Sequence, residues 1–198
     1  MRIPNAVHES RAWRIREIAP DFTVEDVWAL PVYGGAADFE RLLEVMASLD
    51  PTNRGSFATR VLFRLRWRLG RWFRWDGPAT KLPIPGKQES SLAGRLPNDL
   101  RNTAADLRFR PFTPLYRTGN EFAAELSNQT VHAVMHLAWV DQGEGRYQGQ
   151  MAVYVKPRGR LGKEYMALIA PFRHWIVYPA LMRQIERAWN SRRAGTSP

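Results

Sequence analysis

The sequence predicts an α+β fold in which a strongly curved antiparallel sheet grips one long C-terminal helix. Two observations predict it. First, apolar residues alternate with polar ones along three runs. These are 121–126, 131–139 and 146–156, where Tyr147, Met151, Val153 and Val155 share a face opposite Gln148, Gln150 and Lys156. That is the period of half-buried strands. Second, the period changes after Gly162. Tyr165, Leu168, Ile169, Phe172, Trp175, Ile176, Pro179, Met182, Ile185 and Trp189 recur at helical steps and form one apolar stripe. The apolar faces of the strands must point at that stripe to be buried.

Taken in order, Trp13 and Ile15 alternate with Arg14 and Arg16, which predicts a first strand over 12–18. Thr23, with Asp26 three places on, predicts a capped short helix, broken at Pro31 and Gly34-Gly35. A second helix follows from Asp38, with Phe39, Leu42, Leu43 and Met46 as its apolar face. The segment 56–76 is predicted as a basic amphipathic helix. Arg60, Arg64, Arg68, Arg71 and Arg74 share a sector of about 120°, opposite Leu62, Leu65, Leu69 and Trp72. Packing on the domain itself is the favoured reading. Contact with an anionic membrane surface or ligand comes next, and nucleic acid is disfavoured. The Pro- and Gly-rich stretch 77–114 reads as a long loop or lid, with one helical turn opened by Pro97. Pro171 and Pro179 interrupt the C-terminal helix and predict a kink at one or both. The final residues, 191–198, read as a disordered tail after a single domain over 1–190.

Composition narrows the chemistry. With no cysteine, disulfides, thiolate metal sites and thiol nucleophiles are excluded. The first 15 residues lack the apolar segment of a signal peptide, and no apolar run reaches the ~18 residues of a membrane span. A cytoplasmic protein is therefore expected. The net charge of +10 favours anionic partners.

Four places separate His132 from His136. On a strand this puts them about 13 Å apart, too far to share one metal ion. A tight turn at 127–130 would set Glu125 opposite His132 and Glu121 opposite His136, all on the outer, solvent side. Two cross-strand pairs are favoured there over an acid–base or metal site. His174 falls off the helix stripe, so a solvated or sheet-rim histidine is favoured over a general base. Arg158 and Arg160 flank a glycine before the helix, where an anionic head group would meet free backbone donors; a plain basic turn fits equally well. There is no Ser-His-Asp spacing, phosphate loop or zinc motif, so neither a metal nor a cofactor is expected.

The runs LPVYGGAADF (30–39), HAVMHLAWV (132–140), YVKPRGRLGKEYMALI (154–169) and PFRHWIVYPALM (171–182) resemble a domain-of-unknown-function family. That family is grouped with the START-like, polyketide-cyclase and lipid-transport superfamily, SRPBCC. The resemblance spans about Ala12 to Trp189 and implies a helix-grip fold with a cavity between sheet and helix. Some relatives sit behind a nucleotide-binding, short-chain-reductase-like domain. No Gly-rich fingerprint of such a domain stands in this sequence, and the family has no agreed catalytic residues to carry over.

The leading expectation is thus a domain that binds an apolar or aromatic small molecule or lipid. Met135, Trp139, Tyr147, Met151, Tyr165, Phe172 and Trp175 would line its cavity. The alternatives are an enzyme of cyclase, dehydratase or hydrolase type on the same scaffold, which requires inward polar groups, and peripheral membrane association through 56–76. For the register, Met135, Leu137, Trp139, Met151 and Val153 should face the helix, with His132, His136, Gln148 and Gln150 facing outward. This requires an odd number of residues in the loop after Val140.

Overall fold

A computed structural model describes residues 1–49, 91–127, 131–157 and 173–194. Outside these lie the Arg-rich segment 56–76, residues 77–90 of the Pro-rich loop, and the predicted site residues Arg158, Arg160, Tyr165 and Phe172.

Five strands form one antiparallel sheet in the order β1-β5-β4-β3-β2. They are β1 (Thr23–Gly34), β2 (Thr113–Arg117), β3 (Glu121–Ser127), β4 (Val131–Asp141) and β5 (Tyr147–Pro157). Helices α1 (Asn5–Glu9) and α2 (Ile15–Ile18) precede β1, α3 (Phe39–Ser48) follows it, and α4 (Tyr178–Ala194) is the C-terminal helix. The arrangement is α+β, with an antiparallel sheet and a helix packed across it.

Both faces of the sheet are covered. On the front face, α3 contributes Phe39, Leu42, Leu43 and Met46, and α4 contributes Tyr178, Ile185 and Trp189. They meet Phe122, Ala124, Met135, Leu137, Trp139 and Met151. On the back face, Trp13, Ile15, Ile18, Phe22, Leu92, Leu96 and Leu100 cover Ala123, Val134, Ala138, Ala152 and Tyr154. Central strand β4 is consequently buried along almost its whole length.

The helix-facing set is as the alternation predicts. Residues 142–146 connect β4 to β5, an odd number, so Leu137 pairs with Met151 and Met135 with Val153. The other face differs. His132, His136 and Gln150 do lie opposite the apolar set, but they are buried rather than solvated, because the N-terminal segment and 91–100 form a third layer over them. Gln148 is half-buried and donates to the Tyr33 hydroxyl at 2.8 Å.

The N-terminal elements also depart from expectation. Residues 12–18 are not a strand, since Ile15–Ile18 is a helical turn. Two alternating pairs are too short a sample. The buried positions continue as Ile15, Ile18, Ala19 and Phe22, which is helical spacing. The segment from Thr23 is a strand, not a capped helix. Its alternation is broken by an extra residue at Glu25: Val24 pairs with Tyr154, but Asp26 pairs with Val153. Two residues apart on a regular strand, Val24 and Asp26 would share a face. The bulge parts them, leaving Val24 against the back cluster and turning Asp26 to the front. Pro31 falls in a second irregularity, between Ala29 and Tyr33, and is tolerated because β1 is an edge strand.

Within 91–112 the chain forms two short turns, Leu92–Arg95 and Asn98–Leu100, the second opened by Pro97 as predicted. This part of the expected lid is a core layer: Leu92, Leu96 and Leu100 are buried, and Arg14–Asp99 (2.7 Å) and Arg95–Asp21 (2.5 Å) pair it with the N-terminal segment. Before α4, the turn Arg173–Val177 is a π-helix, directly ahead of Pro179. Pro179 has no N–H to return to the preceding turn, and wide turns accommodate that loss. The helix runs on to Ala194, into the stretch read as a tail. No helix among the described residues is long and apolar enough to cross a membrane.

Gly149 on β5 shows how closely the front layer approaches. A Cβ there would lie 2.6 Å from Val32 Cγ2 and 3.1 Å from Leu42 Cδ2. Replacing Gly149 with Ala should therefore destabilise the protein by about 1–3 kcal/mol through overpacking. Thermal melts of the variant should show a midpoint several degrees lower; an unchanged midpoint would contradict this packing.

Candidate functional site

One group of polar side chains bridges the sheet and the C-terminal helix on the apolar front face. The Asp26 side chain is about 1% exposed, yet it carries a carboxylate. His174 Nε2 lies 2.5 Å from Asp26 Oδ1, and the Tyr178 hydroxyl donates to Oδ2 at 3.2 Å. Arg2 approaches Oδ1 at 3.5 Å from the protein surface. The N-terminus reaches β1 by backbone pairing: Ile3 N–H donates to Val27 O, and Ala29 N–H to Met1 O. Local structure sets each position. The bulge at Glu25 presents Asp26, the π turn carries His174, and the first residue of α4 is Tyr178. Bulges and π turns re-aim side chains without changing the elements they interrupt.

Trp28 completes the group. Its ring lies 4.7 Å from Tyr178 and 6.3 Å from His174. Its indole Nε1 is buried with no hydrogen-bond acceptor among the described residues. A buried N–H without an acceptor costs about 1–3 kcal/mol, so this position favours an acceptor beside it.

The arrangement has defined chemistry. Asp26 holds the imidazole by Nε2–H, which leaves Nδ1 with the lone pair. The His174 side chain is a quarter exposed. Among the described residues no group of three or more His, Asp or Glu is placed to hold a metal.

The expected cavity-lining residues divide. Met135, Trp139 and Met151 are buried in the front core with Tyr147 against them. Trp139 donates to Gly35 O at 2.8 Å and packs between Tyr147 and Trp189, at centroid distances of 6.3 and 6.1 Å. Trp175, by contrast, is 82% exposed.

A second polar network lies on the back face. The observed β3–β4 register is two residues from the one expected, with Glu125 opposite Val134 and Ala123 opposite His136. The difference is even, so each side chain keeps its face, and the long glutamates reach the diagonal histidines. His132 Nε2 donates to Glu125 at 2.7 Å and His136 Nε2 to Glu121 at 3.0 Å. Glu121 also accepts from the Arg14 backbone N–H at 3.1 Å and the Tyr116 hydroxyl at 3.0 Å. Burial pushes both carboxyls up, but the histidine bonds and backbone donors outweigh it and hold both below the ordinary carboxylate value. Burial and the Glu121 carboxylate push the Tyr116 hydroxyl up, so it stays a donor. His8 donates Nδ1–H to Gln150 at 2.7 Å and accepts the Tyr154 hydroxyl at Nε2, 3.0 Å. Burial, with His136 beside it, lowers its pKa to about 4. Glu121 through Arg14, Glu125 through Ser91 and Leu92, and His8 through Gln150 and Tyr154 tie the back layer to the sheet, so this network is a fastener of the fold.

Sequence reasoning identified the Glu–His pairs but not their burial. It placed Asp26 inside a short helix capped by Thr23, set His174 aside and passed over Trp28. One signal was available: the acids Glu25 and Asp26 in TVEDVWALPV stand in a run otherwise suited to a buried strand.

Neither the curated proteins nor the solved structures give a match to this chain. A family model does, over residues 18–180, and on that match the chain belongs to the family described as "Protein of unknown function (DUF2867)".

Proposed function

We propose that the chain is a helix-grip domain of START-like type that holds an apolar or aromatic small molecule, or a lipid chain, between the sheet and α4. The observation that carries this reading is the Asp26–His174–Tyr178 group on the apolar front face, beside the Trp28 indole, whose N–H has no acceptor among the described residues. Ligand sites are mostly apolar with a few convergent polar groups that fix orientation. Met135, Trp139, Tyr147 and Met151 supply the apolar part on the sheet side.

Native mass spectrometry of the purified protein tests it. The expected result is a bound mass, lost on denaturation and recovered as a small apolar compound in an organic extract. A bare protein mass that also takes up neither fatty acids nor aromatic compounds would overturn the reading.

A further inference from the structure

We propose that the Asp26–His174 pair is a proton-transfer centre acting on a carbonyl compound, with His174 as general base, Asp26 as its positioning residue and Trp28 as the donor to the carbonyl oxygen. This rests on the binding reading above and adds a reaction to it.

The geometry selects the substrate class. Asp26 Oδ1 takes His174 Nε2–H at 2.5 Å, so the proton-accepting nitrogen is Nδ1. The second carboxylate oxygen is occupied by the Tyr178 hydroxyl at 3.2 Å, which keeps the carboxylate oriented toward the imidazole. A base alone would suit any acidic proton. The Trp28 N–H narrows the choice, because it is a buried donor that lacks an acceptor among the described residues and its ring lies 6.3 Å from the imidazole. A carbonyl oxygen supplies that acceptor, and the carbon beside a carbonyl supplies the proton. Donors placed where charge develops in the transition state lower the barrier.

The step balances without a co-reactant. His174 Nδ1 takes the α-proton as the C–H bond breaks. That electron pair forms the C=C bond of an enolate, and the carbonyl π pair moves to oxygen, where Trp28 Nε1–H donates. The imidazolium, stabilised by Asp26, then returns a proton to the same carbon or to one conjugated with it. The outcome is exchange or isomerisation, with no net oxidation.

Deuterium exchange provides the test. 2-Tetralone and 2-undecanone, an aromatic and an acyl probe, are incubated with the protein in deuterated buffer. Loss of the α-proton signal is followed by NMR, and binding is read in the same samples by saturation transfer. Wild-type protein should accelerate exchange of at least one ketone. His174→Gln and Asp26→Asn should each lower that rate about 100-fold or more while saturation transfer persists. Trp28→Phe should lower it as well, with the ketone still bound. His174 lies at the rim, so His174→Gln is expected to fold even if Asp26→Asn does not. Exchange that proceeds equally in the His174→Gln protein would overturn the proposal. Binding by wild-type protein without faster exchange would overturn it too, while leaving the binding reading intact. Absence of binding by both ketones would also overturn it, and the native mass measurement then decides the binding reading separately.

Discussion

Glu121→Ala is expected to lower stability by about 3–5 kcal/mol, the cost of breaking a buried charged pair from one side. Glu121 is 4% exposed and receives donors from three elements: His136 on β4, the Tyr116 hydroxyl on β2 and the backbone N–H of Arg14 ahead of α2. Removing the carboxylate leaves all three donors buried without it. Urea unfolding should show the loss as a lower midpoint at an unchanged slope. A loss below about 1 kcal/mol would mean that water reaches these donors and the back layer is not closed. A much smaller effect is expected at the exposed Arg14–Asp99 pair, where solvent screens the interaction.

Acid should release a comparable amount of stability through His8. Its folded value of about 4 lies below the ordinary 6.5, because burial favours the neutral ring. The unfolded chain therefore binds the proton first as the pH falls. The contribution is complete above about 6.5 and is lost as the pH drops through the folded value, amounting to about 3 kcal/mol in all. Glu121 and Glu125, held below the ordinary carboxylate value, change stability in the same direction at lower pH. The His8→Gln variant keeps one donor and one acceptor but cannot titrate. Unfolding free energies from pH 7 to 4 should thus converge for the two proteins, with wild type falling faster. Parallel curves would show that His8 is not the titrating group.

The two long-range features of the fold differed in how legible they were. The front face of the sheet could be read directly, because Phe122, Met135, Leu137, Trp139 and Met151 alternate without interruption and meet a helical stripe at Ile185 and Trp189. β1 could not. Its bulge at Glu25 and its irregularity at Pro31 reset the alternation twice in 12 residues, and no count of period two survives that. The back layer was hidden for a different reason. His132, His136 and Gln150 are polar, and polar residues on one face of a strand read as solvent-facing unless a partner surface is known. That surface comes from residues 1–22 and 91–100, distant in sequence from the strands they cover. The candidate site inherits both difficulties, since Asp26 owes its position to the bulge and His174 to a π turn.

Binding between the sheet and α4 is the central claim, and the methionine methyl groups report on it directly. Met46, Met135, Met151 and Met182 belong to or pack against the front core, whereas Met1 is 84% exposed. Protein labelled with 13C at the methionine methyls is titrated with a medium-chain fatty acid and with 2-tetralone. Saturable shifts at Met135, Met151 and Met182, with Met1 unmoved, are predicted for at least one of the two. Titrations that move none of these core methyls, or only Met1, would contradict a site between the sheet and the C-terminal helix.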